Sequence, residues 1–211
     1  MTTDDRLRLI MITDGVGDLA RILRAVRAAF AGGCRCVQLR EPAWSGRQLW
    51  EACAALLPLV RDHGGLLLIN DRLDLANAGV ADGAQVGHRS LPPDAARLAL
   101  GPERMLGFSA HDEIELAAAA RARCDFALLS PVWATDCKPG APPLGVARAA
   151  ALTAGARLPV IWLGGVTPAV SAELRALAPS ERPRGLAAMS GVLGSADPAG
   201  VCRRLLDALP Q

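Results

Sequence analysis

The chain has few of the residues that build nucleic-acid-binding surfaces. Its 211 residues include no tyrosine and only three phenylalanines, so aromatic platforms on which bases could stack are scarce. Its 23 basic and 21 acidic residues leave a net charge of +2, whereas nucleic-acid-binding domains concentrate positive charge on one face. These shortages argue against a nucleic-acid partner.

Long apolar runs are also missing. No run reaches the roughly 18 residues that a membrane helix needs, so we expect no membrane span. The first six residues are polar and lead directly into an apolar segment, unlike a secretory signal peptide. We therefore expect a cytoplasmic protein.

The six cysteines do not form the paired CxxC motifs of a structural zinc site. Cys34-x-Cys36 is the closest spacing, and alone it is a poor signal for zinc. Without an export signal, we expect reduced thiols that pack as small apolar side chains.

Eight short apolar segments alternate with Ala- and Leu-rich helical stretches. Because parallel strands need helix-length connections, this alternation predicts one (β/α)8 TIM barrel over residues 1–211, near the short end for that fold. The predicted strands are Leu9–Ile12, Cys36–Leu39, Leu66–Ile69, Ala84–Val86, Met105–Phe108, Phe126–Leu129, Val160–Leu163 and Gly185–Ala188. The predicted helices are Leu19–Phe30, Gln48–Val60, a short helix opened by Leu91–Asp94, His111–Arg123, Gly145–Ala154, Pro168–Leu177 and Asp197–Leu209.

Polar residues follow several of these strands, where a barrel gathers its active site. They are Gln38-Leu39-Arg40-Glu41, Asn70-Asp71, Ser109, Thr135-Asp136-Cys137-Lys138, Gly164-Gly165 and Met189-Ser190-Gly191. The last two groups follow strands seven and eight, whose loops often bind phosphate in barrels. Glycine lets backbone N–H groups approach an anion closely, although the same glycines could simply make tight turns.

Structural roles remain open for several of these residues. Arg40 and Glu41 could form an ion pair at the barrel rim, and Asp71 could cap the following helix. Ser109 could cap the helix after strand five. A loop rich in proline and glycine around Lys138 suggests a functional lid. His111 is expected to be solvated, and His63 to be structural.

Five motifs in order resemble the thiamine phosphate synthase/TenI superfamily over nearly the whole chain. They are Val37–Glu41, Leu68–Ala76, Leu106–His111, Leu129–Lys138 and Leu163–Val166. The resemblance implies a (β/α)8 barrel. It also implies one of two activities. One joins an aminopyrimidine diphosphate to a thiazole phosphate and releases pyrophosphate, and the other is tautomerization of a thiazole.

The resemblance to the synthases assigns a role to each motif. Gln38 would hydrogen-bond the aminopyrimidine, and Arg40 would bind diphosphate oxygens with its planar fork. Asn70 would face the diphosphate, Asp71 would bind Mg²⁺, and Ser109 would donate to pyrophosphate.

The later motifs would complete the site. Thr135 and Lys138 would close over the substrates, with Lys138 neutralising charge on the leaving group. The loops of Gly164-Gly165 and Ser190-Gly191 would hold the thiazole phosphate. Arg40, Ser109 and Lys138 are thus the predicted catalytic residues, since stabilising the leaving charge is most of this catalysis.

Two positions depart from the synthase pattern. Pro42 stands where the family commonly has lysine, and Ser90 stands where it has a second Mg²⁺-binding aspartate. The Mg²⁺ site is therefore expected to be weakened or absent. Arg89 could replace part of the missing positive charge or repel the ion.

The sequence has one feature that favours TenI-type tautomerase activity and one that argues against it. Residues 135–138 and 189–191 look closer to TenI-type sequences, but Pro131 stands where the tautomerase has its catalytic histidine. His88 could act as the base instead, or lie at the surface. Trp44 and Trp133 could shield the pyrimidine or only pack near the barrel mouth.

The sequence thus predicts a thiamine phosphate synthase-type enzyme with small-molecule substrates. A TenI-type tautomerase and a non-catalytic protein that binds thiazole phosphate or thiamine phosphate are the alternatives. A homo-oligomer is possible.

Overall fold

Eight parallel strands close into a barrel, which confirms the predicted fold. The computed structural model describes residues 3–135, 140 and 142–209. Each strand pairs in parallel with the next, and β1 pairs with β8. The strands are β1 Leu9–Ile12, β2 Cys36–Leu39, β3 Leu66–Asn70, β4 Gly83–Val86, β5 Met105–Ala110, β6 Phe126–Leu129, β7 Val160–Leu163 and β8 Gly185–Ala188.

Helices lie between successive strands, and α1 precedes β1 while α9 and α10 follow β8. They are α1 Thr3–Arg6, α2 Leu19–Ala31, α3 Gly46–Asp62, α4 Leu73–Asn77, α5 Pro93–Leu100, α6 Glu113–Arg121, α7 Val146–Gly155, α8 Ser171–Ala176, α9 Ser190–Leu193 and α10 Pro198–Ala208. The short α1, α4 and α9 were not predicted, because four or five residues are too few to show a helical period. The stretch predicted as one helix over 168–177 divides into a 3₁₀ turn, Pro168–Val170, and α8.

Helix ends follow local capping chemistry. Ser45 and Gln48 form a reciprocal capping box at the start of α3, which satisfies backbone donors that the first turn leaves unpaired. Asp112 accepts from the backbone N–H of Glu115 at 2.9 Å, so α6 begins at Glu113 rather than at His111 as predicted. Ser109 lies within β5, and its predicted alternative role as the cap of this helix is therefore wrong.

The apolar core has two layers because successive strand residues point to opposite faces. One layer fills the barrel and includes Ile10, Leu68, Phe126, Leu128 and Ile161. The other lies between the sheet and the helices, and its many alanines and leucines let the helices approach closely. Polar side chains gather where the first layer ends, at the carboxyl ends of the strands.

The described cysteines are buried and free. They are Cys34, Cys36, Cys53, Cys124 and Cys202. Burial raises the pKa of Cys53 to about 12 and that of Cys124 to about 11, so these thiols stay protonated and unreactive at neutral pH. Cys137 lies outside the described residues. Over the described ranges, no helix is both long enough and apolar enough to cross a membrane.

Candidate active site

A cavity of about 620 Å³ opens at the carboxyl ends of the strands. Ten of the eleven predicted site residues line it. They are Gln38, Arg40, Asn70, Asp71, Ser109, Thr135, Gly164, Gly165, Ser190 and Gly191. Lys138, the eleventh, lies outside the described residues. The structure therefore brings together residues that are up to 153 positions apart in the sequence (38 to 191).

A chain of hydrogen bonds crosses β2 and β3 at one wall of the cavity. Gln38 Nε2 donates to Asn70 Oδ1 at 3.0 Å, and Asn70 Nδ2 donates to Asp71 Oδ2 at 2.8 Å. A carboxylate only accepts hydrogen bonds, so it forces Asn70 to turn its NH₂ toward Asp71 and its oxygen toward Gln38. The same logic forces Gln38 to donate, which leaves its Oε1 as an acceptor.

That Gln38 oxygen is buried and has no protein partner. Gln38 is 2% exposed, and its Oε1 makes no hydrogen bond with the described residues. An unpaired buried acceptor costs about 1–3 kcal/mol. A ligand amino group that donates to this oxygen would recover that free energy.

Asp71 adopts an unusual backbone conformation at the cavity wall. Its φ is 59°, in the left-handed region that residues other than glycine seldom occupy. Arg72, not Asp71, is the N-cap residue of α4, and it makes no side-chain capping bond. The alternative in which Asp71 caps that helix is wrong, and its carboxylate remains exposed to the cavity.

Arg40 and Glu41 have different partners and therefore different roles. Glu41 is 3% exposed and accepts from the backbone N–H groups of Gly15 and Gly17 at 3.2 and 2.8 Å. Glu41 therefore stabilises the loop after β1. It does not form the ion pair with Arg40 at the barrel rim that the sequence left open. The backbone of Arg40 is held by Thr13, whose Oγ1 accepts from Arg40 N at 2.8 Å and donates to Arg40 O at 3.1 Å.

The Arg40 guanidinium is left available for a ligand. No carboxylate within the described ranges lies within 4 Å of it, whereas Arg21 pairs with Asp14 at 2.8 Å. Asp14 also lines the cavity. Its burial would raise its pKa, but the hydrogen bonds from Arg21 and the Val16 amide outweigh burial and lower the pKa.

Ser109 is positioned by Gln85, a glutamine that belongs to none of the predicted site motifs. Gln85 Nε2 donates to Ser109 Oγ at 3.0 Å and to Val86 O at 3.1 Å. Gln85 is 2% exposed. A polar residue within a buried strand was the available signal, and Gln38 carries the same signal in β2. With its oxygen engaged by Gln85, the Ser109 hydroxyl proton is free to be donated.

The loops after β7 and β8 provide backbone donors to the cavity. The amide N–H groups of Gly165, Ser190 and Gly191 donate to no acceptor in the described part of the chain. Gly164 and Gly165 have φ of 97° and 67°. A Cβ on Gly164 would lie 2.8 Å from Pro131 Cα, and one on Gly191 would lie 2.7 Å from Val166 O. The glycines are therefore needed for tight packing, and unpaired amides of these loops lie at the cavity.

The two tryptophans do not shield this cavity. Neither Trp44 nor Trp133 lines it. Trp133 packs edge-on against Trp162 with ring centroids 5.8 Å apart, and Trp44 packs against the core at the loop of Gly17. Packing near the mouth is thus their observed role.

Comparison with known proteins identifies the family. The model of the family described as thiamine monophosphate synthase (TMP-TENI) matches residues 9–192. The chain belongs to the thiamine monophosphate synthase family. A protein named thiamine-phosphate synthase from Laribacter hongkongensis is 38% identical over 96% of this chain and 94% of its own length. One of that name from Moorella thermoacetica is 36% identical, with 93% and 92% covered.

A solved structure agrees with this membership. Thiamine phosphate pyrophosphorylase from Pyrococcus furiosus superposes with a TM-score of 0.85 at 25% identity, covering 98% of this chain and 97% of that chain. The barrel of this family member thus has the family's fold over nearly its whole length.

The donor set at Asp71 fits Mg²⁺, the ion that the resemblance implies. Of the described cavity-lining residues, only Asp14 and Asp71 are carboxylates, and Arg21 already holds Asp14. Mg²⁺ is commonly bound through one or two carboxylates, retained waters and substrate phosphates. Asp71 alone can serve in that way.

The two departures from the family pattern occupy different places. Pro42 lines the cavity, so its side chain supplies no cation there. Ser90 does not line the cavity, although Gly87, His88 and Arg89 do, and its backbone N–H donates to Gly87 O at 2.8 Å. Position 90 therefore lies in a turn beside the cavity wall rather than in the wall itself.

The His111 side chain is 30% exposed at the cavity, so it is partly solvated, as predicted, and it also has partners. The His111 ring stacks on His88 with centroids 4.6 Å apart, and its Nδ1 lies 3.0 Å from Glu115 Oε2. His63 is structural, as predicted, since its Nδ1 lies 2.9 Å from Leu59 O at the end of α3.

Proposed function

We propose that this chain is a thiamine-phosphate synthase, a transferase that joins an aminopyrimidine diphosphate to a thiazole phosphate and releases pyrophosphate. One observation supports this most. A single cavity collects two separate sets of anion-binding groups, the backbone amides after β7 and β8 and the unpaired Arg40 with Ser109. A reaction between two phosphorylated substrates requires both sets.

The aminopyrimidine is proposed to bind at Gln38. The buried Gln38 Oε1 accepts a hydrogen bond from the amino group of the ring, since the network of Asn70 and Asp71 holds the glutamine with that oxygen unpaired. Asn70, fixed in the same network, faces the diphosphate.

Departure of pyrophosphate is the chemically demanding step. The bond between the pyrimidine methylene carbon and the diphosphate oxygen breaks, both electrons leave with the oxygen, and the lone pair of the thiazole ring nitrogen forms the new bond to that carbon. Arg40 and Ser109 stabilise that growing charge, with Lys138 and Thr135 as the proposed closing groups over the site. Asp71 would hold Mg²⁺, which when bound would supply further charge neutralisation at the diphosphate.

The thiazole phosphate is proposed to bind on the glycine loops. The amides of Gly165, Ser190 and Gly191 and the Ser190 hydroxyl supply donors to its oxygens. Hydrogen bonds to charged groups contribute about 1.5–3 kcal/mol each. The glycine loops then hold the thiazole nucleophile in place, while Arg40 and Ser109 stabilise the pyrophosphate leaving group.

Replacing Ser190 with alanine is expected to weaken thiazole phosphate binding about 10- to 100-fold, the equivalent of one hydrogen bond to a charged group. Isothermal titration calorimetry measures the dissociation constant. Ser180→Ala, at an exposed turn before β8 outside the cavity, is the matched control and should bind as the wild type does. An unchanged constant in Ser190→Ala, or a soaked crystal with the anion elsewhere, would remove the hydroxyl from this role.

The Mg²⁺ requirement is expected to depend on Asp71. Asp71→Asn keeps the side-chain size but removes the only cavity carboxylate without an arginine partner among the described residues, so the Mg²⁺ concentration for half-maximal rate should rise at least about tenfold. Ser90→Asp is expected to lower it by restoring a second carboxylate. Steady-state rates over a Mg²⁺ titration measure both, and no change in either variant would place the metal elsewhere.

The decisive experiment assays both synthase substrates with Mg²⁺ beside a thiazole tautomer assay on the same preparation. Synthase turnover that disappears with chelator supports the proposal. Tautomer turnover alone would favour the TenI-type reading, for which Pro131 at the cavity wall offers no catalytic base. Binding of thiazole phosphate with no turnover in either assay would favour the binding protein.

The proposal places the enzyme in the cytoplasm with small-molecule partners. Free, buried cysteines at the five described positions are compatible with a reducing compartment.

A further inference from the structure

Two imidazoles and a carboxylate, side chains of types that can bind metal ions, meet at one wall of the barrel mouth. His88 follows β4, His111 follows β5, and Glu115 lies in the first turn of α6. His88 Nε2 lies 2.9 Å from His111 Nδ1 and 3.1 Å from Glu115 Oε1, and His111 Nδ1 lies 3.0 Å from Glu115 Oε2. All three donor atoms lie within 4.8 Å of one another.

The three donor atoms face one another at hydrogen-bond distance, and each imidazole nitrogen can present one lone pair to a cation. A cation placed between the three donor atoms would be in contact with all of them.

We propose that His88, His111 and Glu115 bind a divalent transition-metal ion of the Zn²⁺ class. Two imidazoles and one carboxylate are a ligand set that Zn²⁺ takes, and Mg²⁺ prefers oxygen alone. Bond lengths of about 2.0–2.1 Å in a tetrahedron separate ligand atoms by roughly 3.3 Å. The observed separations of 2.9–3.1 Å need to widen by only a few tenths of an ångström.

A backbone hydrogen bond and ring stacking position the three proposed ligand side chains. The backbone N–H of His111 donates to Glu115 Oε2 at 2.6 Å, which orients the carboxylate in the way that outer hydrogen bonds orient metal ligands. Ring stacking keeps His88 beside His111. Both histidines line the cavity and Glu115 does not, so the ion would lie at the cavity wall on a set of ligands that does not include Asp71. Three protein ligands leave a fourth position for a water or another oxygen.

The test uses tag-free, metal-stripped full-length protein titrated with Co²⁺, whose visible absorption reports low-coordinate nitrogen and oxygen ligation, followed by displacement with Zn²⁺. We expect one equivalent of Co²⁺ to bind. His88→Gln should weaken Co²⁺ and Zn²⁺ binding about 100-fold or more, since losing even an outer partner of a ligand costs 10–100-fold. His63→Gln is the matched control, because His63 lies at the end of α3 outside the cluster.

Two further variants separate this site from others. Glu115→Gln should weaken binding as His88→Gln does, with the folded state checked by circular dichroism. Asp71→Asn should retain the Co²⁺ spectrum, which separates this ion from Mg²⁺ and makes the result independent of synthase activity. The proposal is overturned if the wild type binds no Co²⁺, if folded His88→Gln and Glu115→Gln bind it equally well, or if His63→Gln removes it.

Discussion

Replacing Lys138 with alanine should lower synthase turnover about 10²- to 10³-fold, the usual cost of losing one group that stabilises transition-state charge. The resemblance places Lys138 over the departing pyrophosphate, so its contribution grows as the carbon–oxygen bond breaks. An interaction that is stronger in the transition state than in the ground state appears mainly in kcat. Thiazole phosphate binding should change little, since that phosphate is assigned to the loops of Gly164 and Ser190.

Two controls sharpen this test. Lys138→Arg keeps the charge and should recover part of the turnover that alanine loses. Lys138 is also the only lysine in the sequence, so an amine-acetylating reagent modifies one side chain besides the N-terminus. Pyrophosphate should protect that side chain from acetylation, as read by mass spectrometry. Normal turnover in Lys138→Ala would make Lys138 a solvated loop residue.

Replacing Arg40 with glutamine should lower kcat/KM for the aminopyrimidine diphosphate about 10²- to 10³-fold. The guanidinium has no carboxylate partner among the described residues, and Thr13 holds its backbone from two sides. Its charge is therefore available to the diphosphate in both the ground state and the transition state. Steady-state kinetics with the thiazole phosphate saturating isolates this effect.

The shape of the Arg40 side chain, as well as its charge, should affect kcat/KM. Arg40→Lys keeps one positive charge but loses the planar fork that binds two phosphate oxygens, so its kcat/KM should fall between those of the wild type and Arg40→Gln. Arg47→Gln, at an exposed position in α3, is the control and should leave kcat/KM unchanged. A kcat/KM in Arg40→Gln within a few-fold of the wild type would show that Arg40 does not bind the diphosphate.

Much of the fold could be predicted because its signals are local. Strands buried on both faces are apolar runs, and five of the eight, including Leu9–Ile12 and Val160–Leu163, have the bounds that hydropathy predicts. β5 extends two residues past its prediction because Ser109 and Ala110 continue the ladder opposite Leu128 and Leu129 of β6. A polar serine within a strand gives no local sign of strand structure.

The candidate site could be predicted residue by residue where a motif or the end of a predicted strand marked it. Gln38, Arg40, Asn70 and Asp71 were found through the ordered motifs, and the cavity places them together. Thr13 and Gln85 belong to no motif that was singled out, and each acts by holding a neighbour in place. Their partners, Arg40 and Ser109, lie 27 and 24 positions away, beyond the range of any local pattern.

The sequence by itself determined the alternation of strands and helices, the face on which polar groups collect, and the family's chemistry of phosphate and diphosphate. Only the tertiary structure decided which partner each polar group takes. Glu41 binds the amides of Gly15 and Gly17 instead of Arg40, and His88 meets Glu115 across 27 positions of chain. Hydropathy is a property of neighbours along the chain, whereas these pairings depend on strand register and barrel closure, which set the distances between side chains that are remote in sequence.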